Sequence, residues 1–385
     1  MTPFQATTHP DPYSYYQQLR QHGELWFDPA LGLWIASSAR AVEAVAAHPD
    51  CRVRPLAEPV PGAIAQRPAG RVFGHLMRMN EGERHRCPRG VIAPVLASTG
   101  AASIADSVVR LLDSPHDPFE DLNALIFTLP VSVVASLLGF ASGQLQEVAE
   151  CTRDFVACLS PLSDETQLHA ADVAAARLGD MFNGLLSGEG KESAVLDHIY
   201  RQHQAGVWPD RDALIANLTG LLSQTCEAGA GLIGNTLVAL QQHPGLLQSV
   251  QQAPQRAIEL VAEVARHDSP VQNTRRFVAA RCTVGDRVLE AGDTVLLLLA
   301  SANRDPWANP DPDSFLLDRP ARRTFSFGYA RHECPGQQLA LLIASHAIQA
   351  LLRRQPAFSA GALRWRYLPS LNGRIPSFYH QEHAQ

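Results

Sequence analysis

The sequence has no CxxC pair, no basic stripe, no low-complexity run and no apolar leader, and each absence closes off a class of function. Seven cysteines, at 51, 87, 151, 158, 226, 282 and 334, are an odd number without paired spacing. That usage suits a reducing compartment and excludes the common zinc spacings, so most of the thiols read as small buried hydrophobes. Lys and Arg total 32 against 38 Asp and Glu, a net charge of −6, and the basic residues are dispersed. This argues against nucleic acid as a partner. The opening MTPFQATTHPDPYSYYQQLRQ has no basic segment leading into an apolar stretch, so it reads as neither signal peptide nor anchor, and the expected location is cytoplasmic. What is present is a chain of 385 residues, 46% hydrophobic and 18% charged, enough for a large core. No repeat or linker divides it, so a single domain over 1–385 is expected.

Local patterns give a mainly α chain with a small β-rich side. DPYSYYQQLRQHG reads as a helix and ELWFDPALGLWIASS as a hairpin turning at Gly32. Residues 100 to 205 are helical in pattern, with capping-type breaks at Ser114 to Asp117 and Ser160 to Asp164. Asp210 to Gln242 continues as one long helix. Its apolar stretch would suffice to cross a bilayer, but Glu227 lies at the middle beside Ser223, Gln224 and Thr225, which hydrocarbon penalises. A helix through the core of a soluble protein fits better, with no membrane partner. APQRAIELVAEVARH is a further helix. TRRFVAARCTVGDRVLEAGDTVLLLLASANRDP reads as extended, with turns at Gly285 and Asp286 and at Gly292 and Asp293; an irregular WANPDPDSFLLDRPARR follows, and QQLALLIASHAIQALLRR is an amphipathic helix.

The densest chemical signal is FSFGYARHECPGQQ, residues 325 to 338. Cys334 stands in a Gly-bracketed turn just before a helix, with Pro335 in a position favoured inside a helix start and Gly336 allowing close backbone approach. A helix N-terminus stabilises a thiolate. Four uses of the sulfur remain open on the residues alone. It is a turn cysteine; a nucleophile with His332 as base; a zinc ligand, for which no second Cys/His pair is spaced; or an axial ligand to haem iron, which needs only one cysteine.

FSFGYARHECPG resembles the haem-ligand signature of the cytochrome P450 family, F-S/G-x-G-x-H/R-x-C-x-G, with Phe327, Gly328, His332, Cys334 and Gly336 in place. Glu263 and Arg266 in EVAR resemble the family's helical ExxR pair, and Arg319 in LLDRP the arginine that completes its ion cluster. SPVQNTRR, LLLLASANRDP and the first helix are similar to segments of soluble bacterial members, so the resemblance spans nearly the whole chain. It implies the cytochrome P450 fold and haem b with Cys334 as axial ligand and electron donor. It also implies Phe327 packed by the sulfur, and His85 and Arg89 (from HRCPR), Arg276 and His332 as partners of the haem propionates. At i, i+4, His85 and Arg89 share a helix face. Pro88 between them must lie in the first turn or kink the helix, and Arg275 stands next to Arg276 as a competitor. Ala330 stands where a glycine is more usual.

The resemblance departs on the long helix. The family's A-G-x-D/E-T-T/S supplies an acid and an alcohol that organise water and deliver protons to dioxygen at the haem; here the stretch is QTCEAG, Gln224 to Gly229. Glu227 matches the acid, but Ala228 stands in the threonine position. Three readings follow. Proton delivery uses water, a substrate hydroxyl or Thr225 in a normal monooxygenase; or the chemistry is atypical, such as oxidative coupling, a peroxide-driven reaction or a dehydration; or Gly229, Gly231 and Gly234 serve packing alone. The function expected is insertion of one oxygen atom from O2 into a small organic substrate, in specialised metabolism, with Glu227 and Cys334 as catalytic residues. A haem sensor that binds without turnover and a cysteine hydrolase are the rivals. No flavin or iron–sulfur motif is present, so electrons are expected from a separate ferredoxin and ferredoxin reductase, with Arg322, Arg323 and Arg331 as a docking patch. The substrate is a small molecule, free or tethered to a carrier protein, met by residues 52–76, 155–181, 223–227 and 270–273. The expected state is a monomer.

Overall fold

The structure, a computed structural model, describes residues 1–113, 121–354 and 363–379. These form two compact units, each built from separated stretches of chain: 1–56, 231–334 and 347 onward in one, 57–230 and 335–346 in the other.

The first unit is organised by a sheet. Strands β1 (Leu25–Asp28), β2 (Leu33–Ala36), β3 (Cys51–Arg52), β4 (Thr274–Val278) and β7 (Thr294–Leu297) pair in the order β1-β2-β7-β4-β3. β5 (Cys282–Val284) pairs with β6 (Arg287–Leu289), and β8 (Arg364–Tyr367) with β9 (Pro376–Tyr379). The expected hairpin is β1–β2, in register Leu25↔Ala36. Its turn closes with Gly32 at φ +65°, its amide donating to the Asp28 carbonyl at 2.8 Å. The turns at Gly285 and Gly292 also have positive φ, +61° and +94°. β7 is the central strand. Its Val295 and Leu297 join one apolar cluster with Val42, Val45 and Phe325, while Leu296 faces a second with Tyr16, Ile35 and Leu298. Burial on both faces explains why this strand reads as a continuous apolar run rather than an alternating one.

The extended reading of LASAN is corrected. Leu299–Asn303 is a short helix whose residues are all buried. Its polar side chains find partners distant in sequence: Ser301 Oγ donates to the Ser37 carbonyl at 2.7 Å, and Asn303 Nδ2 donates to Ser269 Oγ at 2.6 Å.

The second unit is helical, with Pro68–His75, Glu83–Ala97, Ala101–Leu112, Leu122–Leu137, Leu145–Val156, Glu165–Gly184 and Ala194–Gln204. The break at Ser160 to Asp164 ends in a capping box, Asp164 Oδ1 accepting from the Gln167 amide at 2.9 Å. The other expected break, Ser114 to Asp117, lies outside the described residues. The long helix is Arg211–Gln242, 32 residues, capped by Asp210 Oδ1 on the Ala213 amide. Among the described residues no single helix is long and apolar enough to cross a membrane.

In the sheet unit, helix Ala257–His267 carries a fully buried carboxylate, Glu263, held by three arginines. Arg266 approaches with both Nη2 (2.6 Å) and Nε (3.1 Å); Arg319 Nε lies at 3.1 Å and Arg322 Nε at 2.9 Å, and the Leu316 amide also donates. The remaining guanidinium donors of Arg266 and Arg319 go to the carbonyls of Pro310, Asp311, Pro312 and Ser314. Thus the ExxR pair and Arg319 meet as expected, and Arg322 joins them. Burial alone would raise the Glu263 pKa; Arg266, the Leu316 amide and Arg322 outweigh it and hold the group at about 2.

The depressed pKa stabilises the fold above the ordinary value of 4.5, and that contribution disappears as pH falls toward about 2. It amounts to roughly 3 kcal/mol. Glu263→Gln leaves buried guanidinium charge uncompensated and is expected to lose about 3–5 kcal/mol at pH 7. Thermal melts between pH 7 and 3 should show a shallower acid slope for the variant; parallel slopes would refute the assignment.

Candidate functional site

The segment around Cys334 is a tight turn anchored at its start. Phe325 N donates to Asn303 Oδ1 at 2.6 Å, and Ser326 Oγ bonds the Ala265 carbonyl and Ser269 Oγ. From there the chain reverses on itself: Gly328 N donates to Phe325 O (2.9 Å), Glu333 N to Ala330 O (3.0 Å), and Cys334 N to Phe327 O (2.7 Å). The reversal needs two left-handed residues, Gly328 at φ +77° and Ala330 at φ +57°. A Cβ at Gly328 would also come 3.2 Å from the His332 carbonyl. Ala330 therefore occupies a backbone state that a glycine adopts without strain. None of the seven cysteines forms a disulfide, and Cys334 is the exposed one.

Helix Gln337–Arg354 begins three residues after Cys334, its first bond running from the Ala340 amide to the Gly336 carbonyl. Pro335 thus precedes the helix rather than occupying its first turn, a correction to the sequence reading. A proline two residues before the first helical position still sets the chain's entry with a fixed φ.

The sheet unit holds Cys334, Phe327, His332 and Arg276; the helical unit holds His85, Arg89 and Glu227. Strand alternation separates the two adjacent arginines of β4. Arg276 faces inward, 5% exposed, while Arg275 points outward over the Phe4 ring at 5.4 Å. His85 is buried in helix Glu83–Ala97, and Arg89 follows one turn later on the same face. Pro88 is in the second turn, inside the helix, as is Pro94; the first-turn alternative does not hold, and the helix runs on through both prolines.

Arg322, Arg323 and Arg331 do not form a free basic patch. Arg322 is committed to Glu263, Arg323 pairs with Glu43, and Arg331 donates to the carbonyls of Ala47, His48 and Cys51. These contacts tie down the loops flanking Cys334.

On the long helix, a Cβ at Gly229 would approach Pro130 Cβ to 2.8 Å, and one at Gly231 would approach Pro270 Cβ to 2.8 Å. Both glycines are packing sites. Thr225 Oγ1 donates to the Leu221 carbonyl at 2.8 Å, so its proton is engaged within the helix. Glu227 is reached by water, yet surrounding protein desolvates it and raises its pKa above the ordinary 4.5; the charge of Arg78 lowers it in part. Arg78 was not picked out from the sequence. The available signal was a cation seven residues before His85, two positions past the 52–76 segment read as substrate-facing.

The donor set fits haem. One exposed sulfur on a turn fixed by backbone bonds suits a single thiolate ligand to iron, and Arg276 in the sheet unit and the His85/Arg89 face in the helical unit each offer cationic or donor groups of the kind that acidic propionates need. The family model described as Cytochrome P450 matches residues 257–355. The cytochrome P450 monooxygenase PikC of Streptomyces venezuelae is 28% identical over 385 residues, covering 94% of this chain and 89% of that one. The 20-oxo-5-O-mycaminosyltylactone 23-monooxygenase of Streptomyces fradiae is 28% identical, covering 87% and 79%. Among solved structures, P450BioI in complex with an acyl carrier protein ligated to hexadec-9Z-enoic acid superposes with TM-score 0.81 at 23% identity, over 95% and 97% of the two chains. The chain belongs to the cytochrome P450 family of monooxygenases.

The strain at position 330 is testable. Ala330→Val adds a β-branched side chain to a left-handed residue and is expected to cost about 1–2 kcal/mol. Ala330→Gly should be neutral or slightly stabilising, because relief of strain offsets glycine's unfolded-state entropy of about 0.5–1 kcal/mol. Differential scanning calorimetry of the pair reads both; equal melting temperatures would refute the left-handed assignment.

Proposed function

We propose that this chain, as one P450 domain over 1–385, inserts one oxygen atom from O2 into a small organic substrate in specialised metabolism, using electrons from a separate ferredoxin and reductase. The observation that carries this reading is the exposed Cys334 on its hydrogen-bonded, doubly left-handed turn. When bound, haem supplies an iron centre at which dioxygen is reductively activated. Cys334 would serve as its thiolate ligand, with Phe327 packed by the sulfur. Arg276, His332, His85 and Arg89 would hold the propionates. Glu227 would hold and release a proton: its raised pKa keeps a share of the carboxyl protonated nearer neutrality than an exposed glutamate.

Reduced protein exposed to carbon monoxide should show the strongly red-shifted Soret band of a thiolate-ligated haem, and Cys334→Ala should abolish it. Colourless protein from haem-replete expression would refute the reading. Substrate-dependent NADPH consumption with surrogate redox partners, matched by product, would set turnover apart from a sensor role.

A second reading, haem chemistry that needs no controlled O–O cleavage, is favoured by Ala228 in place of the alcohol and by the engagement of the Thr225 hydroxyl with Leu221. Glu227→Gln decides between them. Under the first reading it lowers O2-driven kcat by about 10²-fold or more and leaves a peroxide-driven rate less affected. Equal rates in wild type and variant with O2 and redox partners favour the second.

A further inference from the structure

Arg78 is the anomaly of the helical unit. Its Nε is buried without a hydrogen-bond partner, and its guanidinium makes no ion pair or hydrogen bond among the described residues. Arg78 as a whole is half-buried, and a charge drawn partly out of water without a partner is costly; arginines so placed are ordinarily spent on carboxylates or carbonyls. Arg266, Arg319 and Arg374 of this chain are all spent that way.

The position of Arg78 is fixed from both sides. It sits in the turn Met77–Met79, whose first amide donates to Asn217 Oδ1 at 2.7 Å while Asn217 Nδ2 donates back to the His75 carbonyl at 2.9 Å. Leu76 Cδ2 lies where a Cβ on Gly220 would come within 2.8 Å, so the segment rests directly on the long helix. On the far side, Asn80 Nδ2 donates to the carbonyls of Leu76 (2.8 Å) and Gly74 (2.9 Å). Asn217, Gly220, Gln224 and Glu227 follow one another at spacings of three, four and three, a single stripe of the helix. The turn that carries Arg78 rests on the first two residues of that stripe, Asn217 and Gly220. The acidic groups whose fields reach Arg78 are Cys158 and Glu227, and burial pushes the Cys158 thiol up to about 12, leaving it neutral. Glu227 is thus the one carboxylate in electrical reach, and it forms no ion pair with Arg78.

We infer that Arg78 is the receptor for the carboxylate of an anionic organic substrate, which it anchors beside Glu227. The planar guanidinium fork matches a carboxylate in two parallel hydrogen bonds. One guanidinium balances a monoanion, whereas a phosphate dianion would keep excess negative charge next to Glu227. The inference deepens the monooxygenase reading by naming the substrate class of the same site, and Arg78 is a specificity residue within it.

Isothermal titration calorimetry of the purified full-length holoprotein tests it, with octanoate, dodecanoate and trans-cinnamate, each against its methyl ester and its N-acetylcysteamine thioester. At least one acid should bind ten-fold or more tighter than its ester. Arg78→Met should cut that preference to less than two-fold with the ester's affinity unchanged, and Arg78→Lys should retain part of it. If no acid outbinds its ester, if Arg78→Met keeps the preference, or if a thioester outbinds its acid, the inference is overturned. The last result points to a carrier-tethered substrate. The carbon monoxide spectrum of the same samples reads the haem-thiolate assignment separately, so loss of the red-shifted band and loss of acid preference report different failures.

Discussion

The buried carboxylate of Glu263 is the interaction on which the sheet unit depends. A single anion without access to water gathers Arg266 from its own helix and Arg319 and Arg322 from the irregular segment that follows the short helix Leu299–Asn303. That segment has no ladder of its own. Its carbonyls at Pro310, Asp311, Pro312 and Ser314 are satisfied by guanidinium groups that Glu263 holds in place. Arg266 Nη1 also donates to the Asn303 carbonyl at 3.3 Å, and Asn303 in turn donates to Ser326 Oγ and accepts from the Phe325 amide. An unbroken chain of hydrogen bonds therefore runs from Glu263 to the first residues of the Cys334 turn. The metal-ligand role proposed for the sulfur calls for such a rigid base.

Arginine is the recurrent means of satisfying irregular backbone in this chain. Arg331 closes the carbonyls of Ala47, His48 and Cys51, and Arg374 closes those of Thr7, His9 and Pro10 while pairing with Asp268 at 2.6 Å. A planar group with five donors serves several carbonyls at once. This use explains why arginines near Cys334 are poor candidates for a docking surface: their donors are directed inward. Against that background an arginine with nothing to hold is informative, and Arg78 stands apart for that reason.

The long helix combines two demands. Gly229 and Gly231 let Pro130 and Pro270 approach to distances that a methyl group would block, while Glu227, two residues before the first of them, remains reachable by water. Gly229 and Gly231 are accounted for by packing. Packing does not speak to the missing alcohol at Ala228, and the hydroxyl of Thr225 is engaged with the Leu221 carbonyl.

Much of this was legible in the sequence. The hairpin at Gly32, the long helix from Arg211, the Glu263–Arg266 pair with Arg319, and the cysteine turn all announce themselves through local spacing, because helix period, turn chemistry and i, i+3 geometry act within a few residues. Position 330 was legible only in part: the sequence showed an alanine where a glycine is more usual, and the structure showed why, by placing it in the left-handed region. Tertiary structure alone decided what depends on partners distant in sequence. It set Arg276 inward and Arg275 outward, and bent LASAN into a helix because Ser37, Ser269 and Ser326 receive its polar groups. It also drew Arg322 to a carboxylate 59 residues away. It left Arg78 half-buried and, among the described residues, unpaired because Asn217 and Gly220, about 140 residues further along, hold its turn in place. A sequence shows which residues carry charge; only the folded chain shows which of those charges have already been answered.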